Sequence, residues 1–417
     1  MLQFFNHIAG RYIVAGQQEI AWSQERKEED FDYIKATTGR TPALRGFDFL
    51  QYVYSPTVRA TQDSSERAIT WARQGGLVAY CCHLFMNIGS TDGNPQFYTP
   101  GSNGNVNDTR FDIRQAVISG TPENVEYLAK LDIIAGELGK LRDAGVPVIW
   151  RPFHEAGGTW FWWSAQGAEP FKAAWRIMFD RFTQVHGLTN LIWCFNPTDS
   201  TTVLQNWYPG DDVVDMISLD VYPPAGSHPT YSADYKRMRD FRNGRKVVVM
   251  SENGAIPEID ALFAEDAGWG YFCTWNGFEN NPAQNSAAFL QTVYNHAKVI
   301  TLDELPALYA ENSLTITAQP RTQLVAAGTA LTLSIATSGG TGLTYQWSKD
   351  GAAIPGATSA TYSIGNVTTT ASGTYTVTVT GGAVSVTSAP ADVAVAPAGA
   401  APSALVDISS RRYCSTG

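Results

Sequence analysis

Pro147-Val-Ile-Trp-Arg-Pro-Phe-His-Glu155, followed closely by Trp160-Phe-Trp-Trp163, is the stretch around which the chain is organised. Val148, Ile149 and Trp150 form a short apolar run bounded by Gly145 and Pro147, the pattern of a buried strand. The run ends abruptly in Arg151, His154 and Glu155, with indoles just beyond. Parallel α/β folds put their chemistry at the carboxyl ends of strands, so this reads as the mouth of a site. The plainer alternative is an Arg151–Glu155 ion pair that only closes a strand. Lys246-Val-Val-Val-Met-Ser-Glu252 repeats the design, apolar and then a glutamate, and argues against it.

Working outward, the same rhythm recurs. Strands are predicted at Tyr12–Gly16, Pro42–Asp48, Leu77–His83, the stretch above, Leu191–Asn196, Val214–Tyr222, Lys246–Glu252 and Gly270–Trp275. Between them lie helical patterns at residues 1–9, 23–35, 66–74, 121–145, 171–185, 235–241, 259–263 and 286–299. Thr121-Pro-Glu123 is a helix start, with a capping hydroxyl, Pro in the first turn and an acid at the positive end. Eight alternations over about 300 residues imply a parallel sheet and a (β/α)8 TIM barrel. The polar strand ends then gather on one face: Asp48, His83, Glu155, Asn196, Asp220, Tyr222, Glu252 and Trp275. A doubly wound sheet would want a Gly-rich phosphate loop after an early strand. Gly101-Ser-Asn-Gly104 instead falls in a long loop, 87–108, after no strand.

After Pro306 charge nearly vanishes and Thr, Ser, Ala, Gly and Val dominate. Short strand-like runs recur at Leu314–Thr317, Leu331–Ile335, Thr344–Trp347, Tyr362–Ile364, Tyr375–Val379 and Val384–Val386. Trp347, with Gly373-Thr-Tyr375 ahead of a later strand, resembles a small all-β immunoglobulin-like sandwich with its tyrosine corner. Leu333 and Val377 stand where antibody domains carry paired cysteines. The expected organisation is a catalytic barrel over 1–306, the sandwich over 307–396, and an Ala/Pro-rich linker and tail over 397–417. Leu405–Gly417 reads as the start of a further segment.

A net charge of −10 argues against nucleic acid or an anionic membrane as the main partner. No apolar run of about 18 residues appears. Met1–Ile8 has neither a basic n-region nor a cleavage site, which leaves a cytoplasmic protein or one whose export signal has been removed. Cys81, Cys82, Cys194 and Cys273 sit in apolar runs and read as small buried hydrophobes. No Cys or His pairs occur at zinc-ligand spacing, so neither a metal nor a cofactor is expected.

Two glutamates facing each other across one barrel mouth suit glycoside cleavage, which needs one carboxyl to protonate the leaving oxygen and one to attack or stabilise the anomeric carbon. The surrounding indoles suit sugar faces. For any one of Trp160, Trp162 and Trp163, core packing is the competing reading; three beside an acid favour at least one in a groove.

Trp150-Arg-Pro-Phe-His-Glu-Ala-Gly-Gly-Thr-Trp-Phe-Trp-Trp163 resembles the acid/base segment of glycoside hydrolase family 26, whose typical members are β-mannanases. Gly16-Gln17, Gly46-Phe-Asp48, Asn190–Trp193, Asp220-Val-Tyr222 and Ser251-Glu252 extend the likeness over about residues 1–300. The resemblance implies retention of configuration, with Glu155 as acid/base and Glu252 as nucleophile. Tyr222 corresponds to a tyrosine that holds the nucleophile. His154 corresponds to a sugar-contacting and supporting histidine, His83 and Trp275 to residues around the −1 sugar, and Trp160 to a platform for the +1 sugar. Asp220 joins this substrate-binding set. Family mannanases commonly carry Trp-His-Trp at the third strand; here it is Cys82-His83-Leu84, with Phe85 beyond. The expected activity is therefore a retaining β-1,4-mannanase acting on mannan, glucomannan or galactomannan. A β-1,3-xylanase or mixed-linkage β-glucanase on the same scaffold is the alternative, and a sugar-binding protein without catalysis the rival from another class. The family and its substrate imply a secreted or cell-surface protein, and a monomer is expected.

Overall fold

In a computed structural model, described here for residues 1–305 and 314–397 apart from 92, 103–107, 199–200, 242, 340–341 and 382–383, the eight expected strands form one parallel sheet. They are β1 (Ile13–Gln18), β2 (Leu44–Asp48), β3 (Leu77–Cys81), β4 (Val148–Arg151), β5 (Leu191–Phe195), β6 (Met216–Val221), β7 (Val247–Asn253) and β8 (Tyr271–Thr274). Each pairs with the next, and β8 and β2 both pair with β1, which closes a TIM barrel. The strands are buried almost throughout, as a sheet covered on both faces must be. The long helix Pro122–Asp143 starts as its sequence dictates: the Thr121 hydroxyl accepts from Asn124 N and Pro122 sits in the first turn.

The largest departures from the expected helix boundaries are at three helices. The helix expected from Ser23 begins at Glu29, because Lys27 is drawn to Asp63 and Glu28 to Arg45 on neighbouring elements. The segment expected as one helix over 171–185 is α-helical over Ala168–Asp180 and ends in a π-helical turn over Arg181–Val185. The last helix stops at Tyr294, and Val299–Ile300 forms a further strand, β9, against Ile13 and Val14. It fills an edge left open because β2 joins β1 only from Gly16 onward.

The chain divides into two compact units, before and after residue 306. Most of the linker and tail expected from residue 397, and the junction at 306–313, lie outside the described residues. The second unit is all β: Thr315–Ala318 (β10), Gln323–Ala326 (β11), Leu331–Ser334 (β12), Ala336–Ser338 (β13), Thr344–Lys349 (β14), Ala352–Ala353 (β15), Thr361–Ile364 (β16), Gly373–Gly381 (β17), Val384–Thr387 (β18) and Ala391–Ala396 (β19). Its core holds Trp347, Leu333, Tyr375 and Val377. The Tyr375 hydroxyl donates to Ala371 O at 2.8 Å, closing the tyrosine corner. Strands β11 and β19, which pair in parallel, and the short β13 and β15 have no counterpart in the sequence reading.

Candidate active site

The strand ends converge at the barrel mouth, and one cation organises them. Arg151, at the end of β4, donates to Asp220 Oδ2 (2.8 Å), to Asn196 Oδ1 (3.1 Å) and to Glu252 Oε1. It does not pair with Glu155, the partner that its sequence position suggested. Asp220 also accepts from Ser251 (2.6 Å) and Asn196 (3.2 Å). Its side chain is 3 % exposed, and through these bonds it orients Arg151. Glu252 accepts a second bond, 2.6 Å long, from the Tyr222 hydroxyl. Tyr222 as a whole is 45 % exposed, yet its hydroxyl lies in the desolvated centre, and burial together with Glu252 raises its pKa well above that of a free phenol.

Strand irregularity aims Glu252. Leu219 pairs with Met250 but Asp220 with Glu252, so β7 carries one extra residue there; the same offset appears against β8. Bulges beside active sites re-aim side chains in this way. Glu155 is turned inward by its backbone: its φ is +55°, and that of Phe153 is +48°, a conformation that costs a non-glycine residue about 1 kcal/mol or more. Asn196 stabilises the turn, its Oδ1 accepting from Glu155 N at 2.7 Å and its carbonyl from Ala156 N at 2.8 Å.

Carboxylate oxygens of Glu155, Asp220 and Glu252 lie within 4.8 Å of one another. Three acids around one guanidinium, away from water, favour keeping one proton. Asp220 and Glu252 each bond Arg151 directly, whereas Glu155 takes only the Trp160 indole N–H. Burial raises the pKa of Asp220 as well, but Arg151, bonded to it, opposes that, and the proton is assigned to Glu155, which bonds no cation. Burial first, and the charge of Glu252 second, push its pKa up to about 7.

His83 closes the other side. Its Nδ1 meets Asp48 Oδ2 at 2.5 Å, and Asp48 Oδ1 also accepts from His83 N and Leu50 N. Burial opposes a charge on His83, but Asp48 outweighs it and raises its pKa. His154 lies deeper, 1 % exposed, its Nε2 at 3.2 Å from His83 Nε2. Burial, then the neighbouring His83 and Arg151, keep it neutral by pushing its pKa well below the ordinary value. Trp275 stands edge-on to His83 with ring centroids 5.9 Å apart. Of the three indoles, Trp162 and Trp163 are core residues that donate to Leu84 O and His154 O, while Trp160 stays partly open beside Glu155. Cys82 and Leu84 are buried. An aromatic neighbour for His83 comes instead from the long loop, where Phe97 lies 4.9 Å away. That loop docks on the segment after β4, with Thr99 N donating to Trp160 O and Phe97 O accepting from Trp162 N; no local sequence signal announces this pairing.

By position, Asp48, Cys81 and His83, or the three acids, could ligate a cation. Asp48 is paired with His83, and Asp220 and Glu252 with Arg151, while burial holds the Cys81 thiol well above its usual pKa.

A TIM barrel with two opposed glutamates at its mouth, one carrying a proton and one bound to a fixed cation, defines the class of the carboxylate-pair glycoside hydrolases. Residues 1–304 match glycosyl hydrolase family 26, and the chain belongs to that family; residues 315–380 match the immunoglobulin domain. The mannan endo-1,4-β-mannosidase of Thermothelomyces thermophilus is 39 % identical over 313 residues, 73 % of this chain and 60 % of that protein. The chain spans about half the length of the curated relatives it matches. Among solved structures, a β-mannanase from a symbiotic protist of the termite Reticulitermes speratus, complexed with gluco-manno-oligosaccharide, shares 36 % identity at a TM-score of 0.66, covering 73 % of this chain and 92 % of that one. The Podospora anserina GH26-CBM35 β-(1,4)-mannanase shares 36 % identity at a TM-score of 0.64, covering 73 % and 66 %. Among the described residues no helix is long and apolar enough to cross a membrane.

Proposed function

We propose that the chain is a retaining β-1,4-mannanase that cleaves mannan-type polysaccharides by double displacement. The observation that carries the reading is the contrast between two carboxyls within 4.8 Å: Glu252 bound to Arg151 and Tyr222, Glu155 bound to no cation. Retaining enzymes place the pair about 5–5.5 Å apart, and inverting enzymes wider. In the first step Glu155 gives its proton to the glycosidic oxygen while Glu252 Oε attacks the anomeric carbon, and the C–O bond to the leaving sugar breaks. Glu252, now an ester, has lost its charge. The pKa of Glu155 falls, and it takes a proton from the water that attacks the ester and restores Glu252.

Trp160 offers a stacking face for the leaving sugar, and His83 and Trp275 flank the sugar being transferred. Tyr222 steadies the nucleophile; His154 supports the site from behind His83. The relatives above are mannan hydrolases, which supports mannan as the substrate, and a polymeric substrate supports action outside the cell. The missing indoles beside His83 favour keeping β-1,3-xylan and mixed-linkage glucan in view. A reducing-sugar assay on a panel of mannans, β-1,3-xylan and mixed-linkage glucan tests the reading. Mannans should be cleaved fastest; preference for another backbone, or no release from any, would overturn it.

A further inference from the structure

Between the barrel wall and its helices, behind the loop that carries Trp275, lies a second polar cluster. Gln17, Thr274 and Asn253 are register partners on β1, β8 and β7, so their side chains share one face of the sheet. It is the outer face, since the neighbouring Glu252 points to the centre. Asp30 comes from the helix Glu29–Thr38, Tyr294 from the helix Ala287–Tyr294, and Glu279 from the loop after β8. All six are exposed by 1 % or less. They are linked: Asn253 Nδ2 donates to Thr274 Oγ1 (3.0 Å), Gln17 Nε2 reaches Asp30 Oδ2 (3.4 Å), and Glu279 sits beside the Thr274 and Tyr294 hydroxyls within the field of Asp30.

Among the described residues no cationic side chain bonds to this cluster. Gln17 Oε1, Asp30 Oδ1 and Asn253 Oδ1 make no hydrogen bond among the described residues, and Glu279 is approached only by the Thr274 and Tyr294 hydroxyls, in poor hydrogen-bond geometry. Asp30 Oδ2 takes only Gln17 and the Gly277 N–H, so neither carboxylate has an ion-pair partner there. Arg26, the cation nearest in effect to Asp30, is engaged by Glu29. Buried charges are paired or coordinate metals. A proton on Glu279 and the Tyr294 hydroxyl would supply two donors, fewer than the acceptor oxygens of Gln17, Asp30, Asn253 and Glu279. A cation would satisfy them together, and an all-oxygen set with two carboxylates suits a hard one of calcium's size and flexible coordination.

We propose that Asp30, Glu279, Gln17, Asn253 and Tyr294 bind a calcium ion that ties the ends of β7, β8 and β1 to two helices and braces the loop bearing Trp275. The full chain, purified and dialysed into metal-free buffer, should carry about one calcium per chain by plasma mass spectrometry. EGTA should lower its melting temperature by on the order of 5 °C, and CaCl2 should restore it. Asp30→Asn and Glu279→Gln should each lose the calcium and the EGTA response. Should Glu279→Gln fail to fold, Asp30→Asn and the wild-type metal content still decide. Wild-type protein without calcium whose melting ignores EGTA and CaCl2 would overturn the proposal, and calcium retained by both variants would overturn its placement.

Discussion

Glu155 and Glu252 occupy one centre but differ in what surrounds them, and substitution should separate them. Glu155→Ala should cut kcat/KM on polysaccharide by about 10²–10⁴-fold, the usual worth of a general acid. It should still form the glycosyl-enzyme from an aryl glycoside with a good leaving group, which needs no proton, and azide should rescue turnover to a β-glycosyl azide. Glu252→Ala should form no covalent intermediate, and any azide product should be the α-anomer. Exchanged product configurations would exchange the roles. The pH profile follows from the same contrast. Glu155 acts first as an acid, so kcat/KM should fall as pH rises through about 7. The Trp160 indole, by donating to the ionised form, holds that pKa down. Trp160→Ala should therefore move the basic limb to higher pH and, through lost stacking, lower kcat/KM on mannan about tenfold. An activated aryl glycoside should suffer less. An unmoved limb would contradict the indole's assigned effect.

The elements explain why the residues meet. A short turn after β4 holds Glu155 in a left-handed conformation, and Asn196, just past β5, holds the turn. Gly158 belongs to the same device: a Cβ there would lie 2.5 Å from the Trp160 ring. Gly158→Ala should displace the indole and reduce kcat/KM about tenfold, matching Trp160→Ala; an unchanged rate would mean that the indole's position does not matter. This scale also marks where sequence reading stops. The eight strands were legible because apolar runs bounded by turn residues end in polar ones, and Glu155, Glu252, His83 and Tyr222 stood at those ends. The Arg151 pairing was not legible, because a positive φ turns Glu155 away while a guanidinium reaches across the barrel to β6 and β7. The bulge in β7 leaves no mark in an unbroken Val-Val-Val-Met-Ser-Glu run. Phe97 and the Asp30–Glu279 cluster depend on contacts between elements far apart in the chain, which no local pattern encodes.

At the scale of the whole molecule, the two units have separate cores, one drawn from residues 13–299 and one from 314–395. The sandwich commits Trp347 and Tyr375 to its interior, and among its described residues Leu324 is the only large apolar side chain classed as exposed. It thus offers little aromatic surface for stacking on sugars. Removing the chain beyond residue 306 should leave kcat/KM on soluble mannan nearly unchanged, and a large loss there would give the sandwich a part in catalysis. The central claim is double displacement by Glu155 and Glu252 on a mannan-type backbone. The most direct measurement is the anomeric configuration of the newly released reducing end, followed by proton NMR from the first minutes of hydrolysis of a manno-oligosaccharide. The β-anomer should appear first and only later equilibrate with the α-anomer. An α-anomer formed first would mean inversion by a single displacement and contradict the account.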